Sequence, residues 1–182
     1  MRKQKLEQII ALSPVPVKFL SQTEIKKAIQ RHMPLTDIES KYGFSGLYLS
    51  FDDEPFIVIW KKKSNLKIAA TLLHEIGHAT CDKKNCKCFT CKSCDEDDAE
   101  VLSEVHADEF ALKKCIEINL IDVLRIRFNK ISNWDSDYKV QYKASKILMK
   151  KPIWKRCKKI LDILDIYAKK MGKYRKEKYE IW

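Results

Sequence analysis

The spacing of apolar residues near the start of the chain predicts two amphipathic helices. Over residues 3–12 the apolar positions recur every three or four residues, as they do on one face of a helix, and a Pro-x-Pro segment then ends the pattern. A second helix is predicted over residues 23–32, with Thr23 as its N-cap and Pro34 just beyond its end. We therefore expect the chain to open with two short helices.

A β-hairpin is predicted between residues 46 and 60. The segments 46–51 and 56–60 are rich in aromatic and aliphatic residues, and the short polar turn 52–55 joins them. The second segment, Phe-Ile-Val-Ile-Trp, is continuously apolar, which is typical of a strand that is covered on both faces.

Most of the remaining chain is predicted to be helical. Apolar residues form one broad face over residues 65–80. Four acidic residues begin a second helix over residues 95–118, at the end where the helix dipole favours negative charge. Residues 129–137 form a polar break, and residues 138–179 then predict one or two basic amphipathic helices that divide near Pro152.

Composition agrees with a mostly helical α+β fold. The 182 residues include only 4 Gly and 5 Pro, too few for a turn-rich β-sandwich or barrel. With 45% hydrophobic residues the chain can form a core, which excludes a disordered class. No apolar run approaches the roughly 18–20 residues that span a bilayer, and the first residues do not resemble a secretory signal. We therefore expect a cytoplasmic protein without a membrane partner.

The excess of positive charge lies in the last quarter of the chain. Residues 139–182 contain 15 Lys and Arg against 4 Asp and Glu, whereas the rest of the chain contains 21 residues of each sign. A basic segment of this kind binds nucleic acid or an acidic protein partner, or it is simply a solvated helical face. We expect residues 1–130 to form the main domain, with a cysteine-rich insertion at 81–94, and residues 131–182 to form a basic helical extension packed on it.

The strongest chemical signal is an H-E-x-x-H motif in the helix predicted over residues 65–80. His74 and His78 are four positions apart and share a helical face, so both imidazoles can reach one Zn²⁺ ion. Glu75 is placed to act as general base toward the attacking water and to pass the proton to the leaving amine. The motif predicts a catalytic zinc site.

A catalytic zinc also needs a third protein ligand. The metzincin continuation fails, because the Gly and His that it requires would fall on Cys81 and Lys84. His106 lies off the acidic face and is more typical of a surface or core histidine. Carboxylates at helical spacing on the following helix are the remaining candidates, and spacing does not choose among them: Asp97, Glu100, Glu104 and Asp108.

Two segments resemble the ImmA/IrrE family of metallopeptidases. Residues 74–78 read H-E-I-G-H, and residues 104–111 read E-V-H-A-D-E-F-A, similar to that family's H-E-x-G-H and E-x-x-A-x-x-F-A signatures. The resemblance covers residues 46–112 and implies a zincin-like domain. It also implies a catalytic zinc held by His74, His78 and Glu104, with Glu75 as general base and Glu100 as the runner-up for the third ligand.

The resemblance also implies a function. Members of that family act as cytosolic zinc endopeptidases on helix-turn-helix repressors encoded by mobile elements, phages or stress-response loci. We therefore expect a gluzincin-type enzyme whose substrate is a transcriptional repressor. The family pattern does not include the cysteine-rich insertion.

Cysteines are crowded directly after the motif. Without a secretory signal such crowding favours reduced thiolates that bind metal over disulfides. Tetrahedral zinc takes four ligands, so we expect a second, structural zinc held by four of five cysteines, with a redox-sensitive thiol switch or a reduced loop without metal as the alternatives. The five candidates are Cys81, Cys86, Cys88, Cys91 and Cys94. Cys115 and Cys157 are expected to be buried thiols.

The alternative function is a nucleic-acid-associated, zinc-binding module without turnover. The basic C-terminal helices would then contact phosphates, and Trp154 and Tyr167 would be able to stack on bases. A crosslink protease of the SprT type would combine both functions. That family, however, uses a third histidine for which this chain has no clear counterpart.

Overall fold

The computed structural model describes residues 3–30, 45–50, 54–61, 64–83, 96–136 and 138–179. Within these ranges the chain forms an α+β fold in which helices surround a small sheet. The helices are α1 Lys3–Ile10, α2 Gln22–Gln30, α3 Asn65–Lys83, α4 Glu96–Glu117, α5 Ile121–Ser132, α6 Lys139–Leu148 and α7 Pro152–Tyr179. The strands are β1 Val17–Leu20, β2 Gly46–Leu49 and β3 Phe56–Trp60. None of the described helices is long and apolar enough to cross a bilayer.

The three strands form a sheet in the order β1-β3-β2. Strands β2 and β3 pair antiparallel, with Gly46 opposite Ile59 and Leu49 opposite Phe56, as the predicted hairpin requires. Residues 51–53, the end of the first predicted strand and the first half of the predicted turn, lie outside the described residues. Strand β1 pairs parallel with β3 and was not predicted, because its four residues include two exposed ones and show no alternation.

Strand β3 is covered on both faces, as its continuous apolar sequence predicts. Ile57 and Ile59 are fully buried in the main core, which α3 dominates with residues such as Leu72 and Leu73. Val58 points the other way into a second cluster formed with α2. The sheet therefore stands between α2 and α3 and fixes the position of α3.

The predicted caps and ends need two corrections. Ser21, not Thr23, caps α2: the Ser21 Oγ accepts from the backbone N–H of Glu24, and the Glu24 carboxylate accepts from the Ser21 N–H in return, so the two form a capping box. The polar break predicted at residues 129–137 begins too early, because α5 continues to Ser132. Its last turn is anchored by the fully buried Ile131.

Helices α3 and α4 cross at unusually close range. A Cβ atom added to Gly77 would lie 2.6 Å from the Cα of Ala107 and 2.8 Å from its carbonyl oxygen. Ala107 and Ala111 are both fully buried. The small residues at the crossing let the two backbones approach, and that approach brings the side chains of α4 next to the H-E-x-x-H motif.

The helices after α4 pack on the same core. Val101 and Val105 of α4 contact Ala144 of α6 in a separate apolar cluster. Phe128 of α5 stacks on Trp154 of α7, with ring centroids 3.9 Å apart. Trp154 is only 8% exposed, so it is unavailable for stacking on nucleic-acid bases, contrary to the alternative raised above.

Replacing Gly77 with Ala tests the crossing. Inside an ordinary helix this change stabilises the fold by up to about 1 kcal/mol. Here the new methyl would push the α4 backbone away, and we expect a net loss of about 1–3 kcal/mol in the free energy of unfolding, measured by denaturant titration of the metal-free protein. Lys67→Ala, at an exposed position of the same helix, should change little. A Gly77→Ala protein as stable as the parent would contradict the close crossing.

Candidate metal centre

Three side chains from α3 and α4 converge at the crossing: His74, His78 and Glu104. The two Nε2 atoms of the histidines lie 3.2 Å apart. The Glu104 carboxylate oxygens lie 3.4 Å from Nε2 of His74 and 3.5 Å from Nε2 of His78. One nitrogen from each imidazole and one carboxylate therefore face a common point.

These separations fit one small metal ion. Ligand atoms at the usual zinc bond lengths around a tetrahedral ion are about 3.3–3.5 Å from each other. The observed distances of 3.2, 3.4 and 3.5 Å agree with that spacing. Two imidazoles and a carboxylate are also a donor set that zinc enzymes use while leaving one position open. The residues present thus fit a metal ion such as zinc with one coordination position left open.

The other nitrogen of each imidazole is already engaged. Nδ1 of His74 lies 3.0 Å from Oδ1 of Asp108, and Nδ1 of His78 lies 2.9 Å from Oγ of Ser103. Because an ionised carboxylate only accepts hydrogen bonds, the tautomer of neutral His74 that fits Asp108 carries its hydrogen on Nδ1. Nε2 then carries no hydrogen and can bind a metal ion. Partners of this kind fix ring orientation in metal sites.

A buried arginine completes the chain of contacts behind His74. Arg127 of α5 is 2% exposed, and its Nε donates to Oδ1 of Asp108 at 2.5 Å. Its Nη2 donates to the same oxygen and lies against Nδ1 of His74. Among the described residues no buried side-chain nitrogen or oxygen lacks a hydrogen-bond partner.

Burial and charge set the protonation of the cluster. Burial lowers the pKa of His74, and the neighbouring Arg127 charge lowers it further, which favours the neutral imidazole that binds metal. Burial alone would raise the pKa of Glu104, but the adjacent histidines outweigh it and the pKa falls to about 2. Burial opposes ionisation of Asp108 as well, yet the Arg127 charge holds its pKa well below the ordinary value.

Glu75 lies beside this cluster at the wall of a cavity of about 350 Å³. It is 7% exposed, and its Oε2 accepts the backbone N–H of Tyr48 at 3.0 Å. The Tyr48 hydroxyl donates to Asp82, two turns beyond Glu75 on α3, at 2.5 Å. Strand β2 is thereby tied to α3 on the cavity side. The residues lining the cavity are Gly46, Leu47, Tyr48, Ser50, His74, Glu75, His78, Glu100, Ser103 and Glu104.

The structure separates the carboxylates that the sequence left as alternatives. Glu104 joins the two histidines, whereas Asp108 lies behind His74 and contacts its other nitrogen. Glu100 lines the cavity one turn before Glu104 without belonging to the metal-binding group. The side chain of Asp97 lies outside those described.

The predicted cysteine site is described only in part. Cys86, Cys88, Cys91 and Cys94 lie outside the described residues. Cys81 is buried, and its Sγ lies 3.5 Å from Nδ1 of His106. Both residues line a groove of about 430 Å³ together with Gly77 and Phe110. His106 is half-buried in the wall of this groove.

The two other cysteines are buried thiols, as predicted. Cys115 and Cys157 are both fully buried and unbridged. Burial raises the pKa of the Cys115 thiol to about 12 and that of Cys157 to about 11. Neither thiol is ionised near neutral pH, so neither is a reactive or metal-binding thiolate.

Sequence reasoning missed Ser103 and Arg127. Arg127 carried a signal, because it occupies the apolar face that Val123, Leu124 and Ile131 define on α5, where a charged residue needs a buried partner. Ser103 carried none, since a serine in a polar stretch of helix is ordinary.

Comparison with known proteins adds no identification: no protein-family model, curated protein or solved structure matches the chain. Inference about function therefore depends on the geometry of the site.

Two matched substitutions test the assignment of the third ligand. Glu104→Gln removes the charged oxygen that faces the histidines, so we expect zinc affinity to fall at least a hundredfold, measured by chelator competition. Glu100→Gln removes a carboxylate of the same helix and the same cavity, and it should change affinity less than threefold. The opposite ranking would make Glu100 the ligand and would show that α4 is rotated or displaced from its described position.

Proposed function

We propose that the protein is a zinc-dependent endopeptidase of the gluzincin type, with a zincin-like domain similar to that of the ImmA/IrrE family. The observation that carries the proposal is the convergence of His74, His78 and Glu104 at metal-ligand spacing, with Glu75 beside them at an open cavity. His74, His78 and Glu104 would hold the ion. A merely structural site would be expected to have four protein ligands and no adjacent cavity.

The chemistry follows from what the ion and the neighbouring residues can do. When bound, zinc supplies Lewis acidity that lowers the pKa of water and polarises the scissile carbonyl. Glu75 takes the proton from the attacking water and delivers it to the leaving nitrogen. The backbone N–H of Tyr48 holds the Glu75 carboxylate in the orientation in which it faces the cavity. His74 and His78 are held by Asp108 and Ser103 and need little rearrangement on binding.

The cavity has a wall that suits an extended peptide. Among the described strands β2 lies at the edge of the sheet, and Gly46, Leu47, Tyr48 and Ser50 line the cavity. A strand edge offers backbone hydrogen bonds to a peptide that runs alongside it. We therefore propose a protein substrate that presents an unfolded or extended segment. By the family resemblance this substrate is a transcriptional repressor, and the setting is the cytoplasm.

We also propose a second, structural zinc site at the cysteine-rich insertion. Its support among the described residues is the pair formed by Cys81 and His106. A thiolate sulfur and an imidazole nitrogen on one tetrahedral zinc lie about 3.6 Å apart, close to the 3.5 Å observed. His106 thus joins the five cysteines as a candidate ligand.

The alternative function is a nucleic-acid-binding module without turnover. Its support is the row of exposed basic side chains on α7, such as Lys155, Arg156, Lys158 and Lys159. Against it, Trp154 is buried, and a buried acid–base constellation beside a cavity has no use in phosphate binding. The peptidase is therefore the proposal that the geometry supports best.

Glu75→Gln tests the peptidase. The change keeps the size of the side chain and leaves all three ligands in place, so zinc content should stay the same while peptide hydrolysis falls at least a thousandfold. New protein N-termini that appear in a cell extract after addition of the zinc-loaded protein, mapped by mass spectrometry, provide the measurement. They should be absent with Glu75→Gln and with a zinc chelator.

Glu117→Gln, on the exposed face of α4, serves as the control and should produce the same new termini as the parent. The proposal fails if the parent and Glu75→Gln give identical termini. In that case, duplex DNA binding that weakens steeply with salt would establish the nucleic-acid alternative.

Elemental analysis tests the second zinc. We expect two zinc ions per chain in protein purified without a metal-binding tag. Glu104→Gln should leave one, and the pair Cys91→Ser and Cys94→Ser should also leave one while keeping chelator-sensitive activity. If the parent protein contains only one zinc ion and the doubly substituted protein still contains it, the insertion binds no metal.

A further inference from the structure

We infer that Arg127 is a positioning residue of the metal centre, which acts on His74 through Asp108. The inference rests on the proposed metal site but not on proteolysis, and it concerns a helix that contributes no ligand. It would hold for any function that uses the ion.

The position of Arg127 demands a partner inside the protein. Its side chain is 3% exposed, on the face of α5 that packs into the core. Because a buried guanidinium without a counter-ion is strongly destabilising, the fold must supply an anion there. Asp108 supplies it, itself 4% exposed.

Two hydrogen bonds of Arg127 converge on one oxygen of Asp108, and its Nη2 also lies against Nδ1 of His74. Its Nε and Nη2 both donate to Oδ1 of Asp108, the same oxygen that accepts from Nδ1 of His74 at 3.0 Å. Two donors from a rigid planar fork fix the position of that oxygen. The fixed oxygen in turn fixes the proton on Nδ1 of His74, so Nε2 faces His78 and Glu104 without a hydrogen.

Asp108 cannot do this equally well alone. Without Arg127 its carboxylate would be buried with a single donor, and it would rotate or recruit water to satisfy its charge. His74 would then lose both its preferred tautomer and its fixed ring orientation. The chain of contacts from Arg127 to Asp108 to His74 therefore converts a helix outside the motif into part of the support of the site.

The test is a double-mutant cycle on zinc affinity, measured by chelator competition. Arg127→Met should weaken binding about ten- to a hundredfold, the usual effect of losing support behind a metal-binding histidine. In an Asp108→Asn background the same change should have less than a threefold effect, because the intermediary is already altered. Arg127→Lys, which keeps the charge but not the fork, should fall between the parent and Arg127→Met.

Arg125→Met is the matched control, since Arg125 lies on the same helix in an exposed pair with Asp165. It should leave zinc affinity unchanged. The ¹⁵N NMR signals of the His74 ring in the metal-free protein give an independent readout: the parent should show the Nδ1–H tautomer, and Arg127→Met a mixture. If Arg127→Met does not fold, the parent tautomer and Arg127→Lys still decide the question.

Three results would overturn the inference: an Nε2–H tautomer in the parent, unchanged affinity in folded Arg127→Met, or equal effects of Arg127→Met in both backgrounds. The last would mean that Arg127 only stabilises the core. If Arg127→Met loses zinc affinity and no Glu75-dependent cleavage is found, this inference holds and the proposed peptidase activity is wrong.

Discussion

The distance between α3 and α4 is the constraint on which the site depends. Both histidines belong to α3, so any third ligand must arrive from another element at less than 4 Å. Two helices with ordinary side chains at their crossing are separated by 8–10 Å between axes, and a glutamate on the second would have to reach across that gap.

Gly77 opposite Ala107 removes the large side chains from the crossing and brings the backbones together. Glu104, one turn before Ala107, then meets both Nε2 atoms. The glycine of H-E-I-G-H and the alanine of E-V-H-A are thus needed because larger side chains would separate the two backbones.

The sequence could predict the first half of the site from local geometry alone. Residues four apart on a helix share a face, so the pairing of His74 with His78 followed from spacing. The third ligand did not, because Glu100 and Glu104 also share a face and differ only by one turn along α4. Which turn lies opposite the histidines is decided by the crossing point, a tertiary property. The resemblance to a known family chose Glu104, and the geometry agrees with that choice.

The fold also divides into parts that local periodicity predicts and parts that depend on tertiary contacts. The hairpin strands and the long helices follow from periodicity, since burial of one face decides their structure. Strand β1 depends on an existing partner, because Val17–Leu20 is too short to carry a pattern and gains its hydrogen bonds only from β3. Arg127 illustrates the opposite case. Its place on an apolar helix face was visible in the sequence. Its partner could not be predicted, because Asp108 lies nineteen residues earlier on another helix.

Charge balance gives separate support for the proposed divalent cation at this crossing. Three carboxylates meet at the site, those of the buried Glu75 and Asp108 and of the partly buried Glu104, and two cations interact with them, Arg127 and Lys130. With both imidazoles neutral, as metal binding requires, the carboxylates outnumber these cations by one in a region that excludes much of the solvent. Uncompensated charge of that kind is costly inside a protein. A divalent ion held by His74, His78 and Glu104 would offset it, so binding of such an ion would be linked to the stability of the folded core. Arg127 pairs with Asp108, which is neither a proposed ligand of the ion nor part of the cavity wall. In the proposed reaction, Glu104 is thereby left for the metal and Glu75 for the proton.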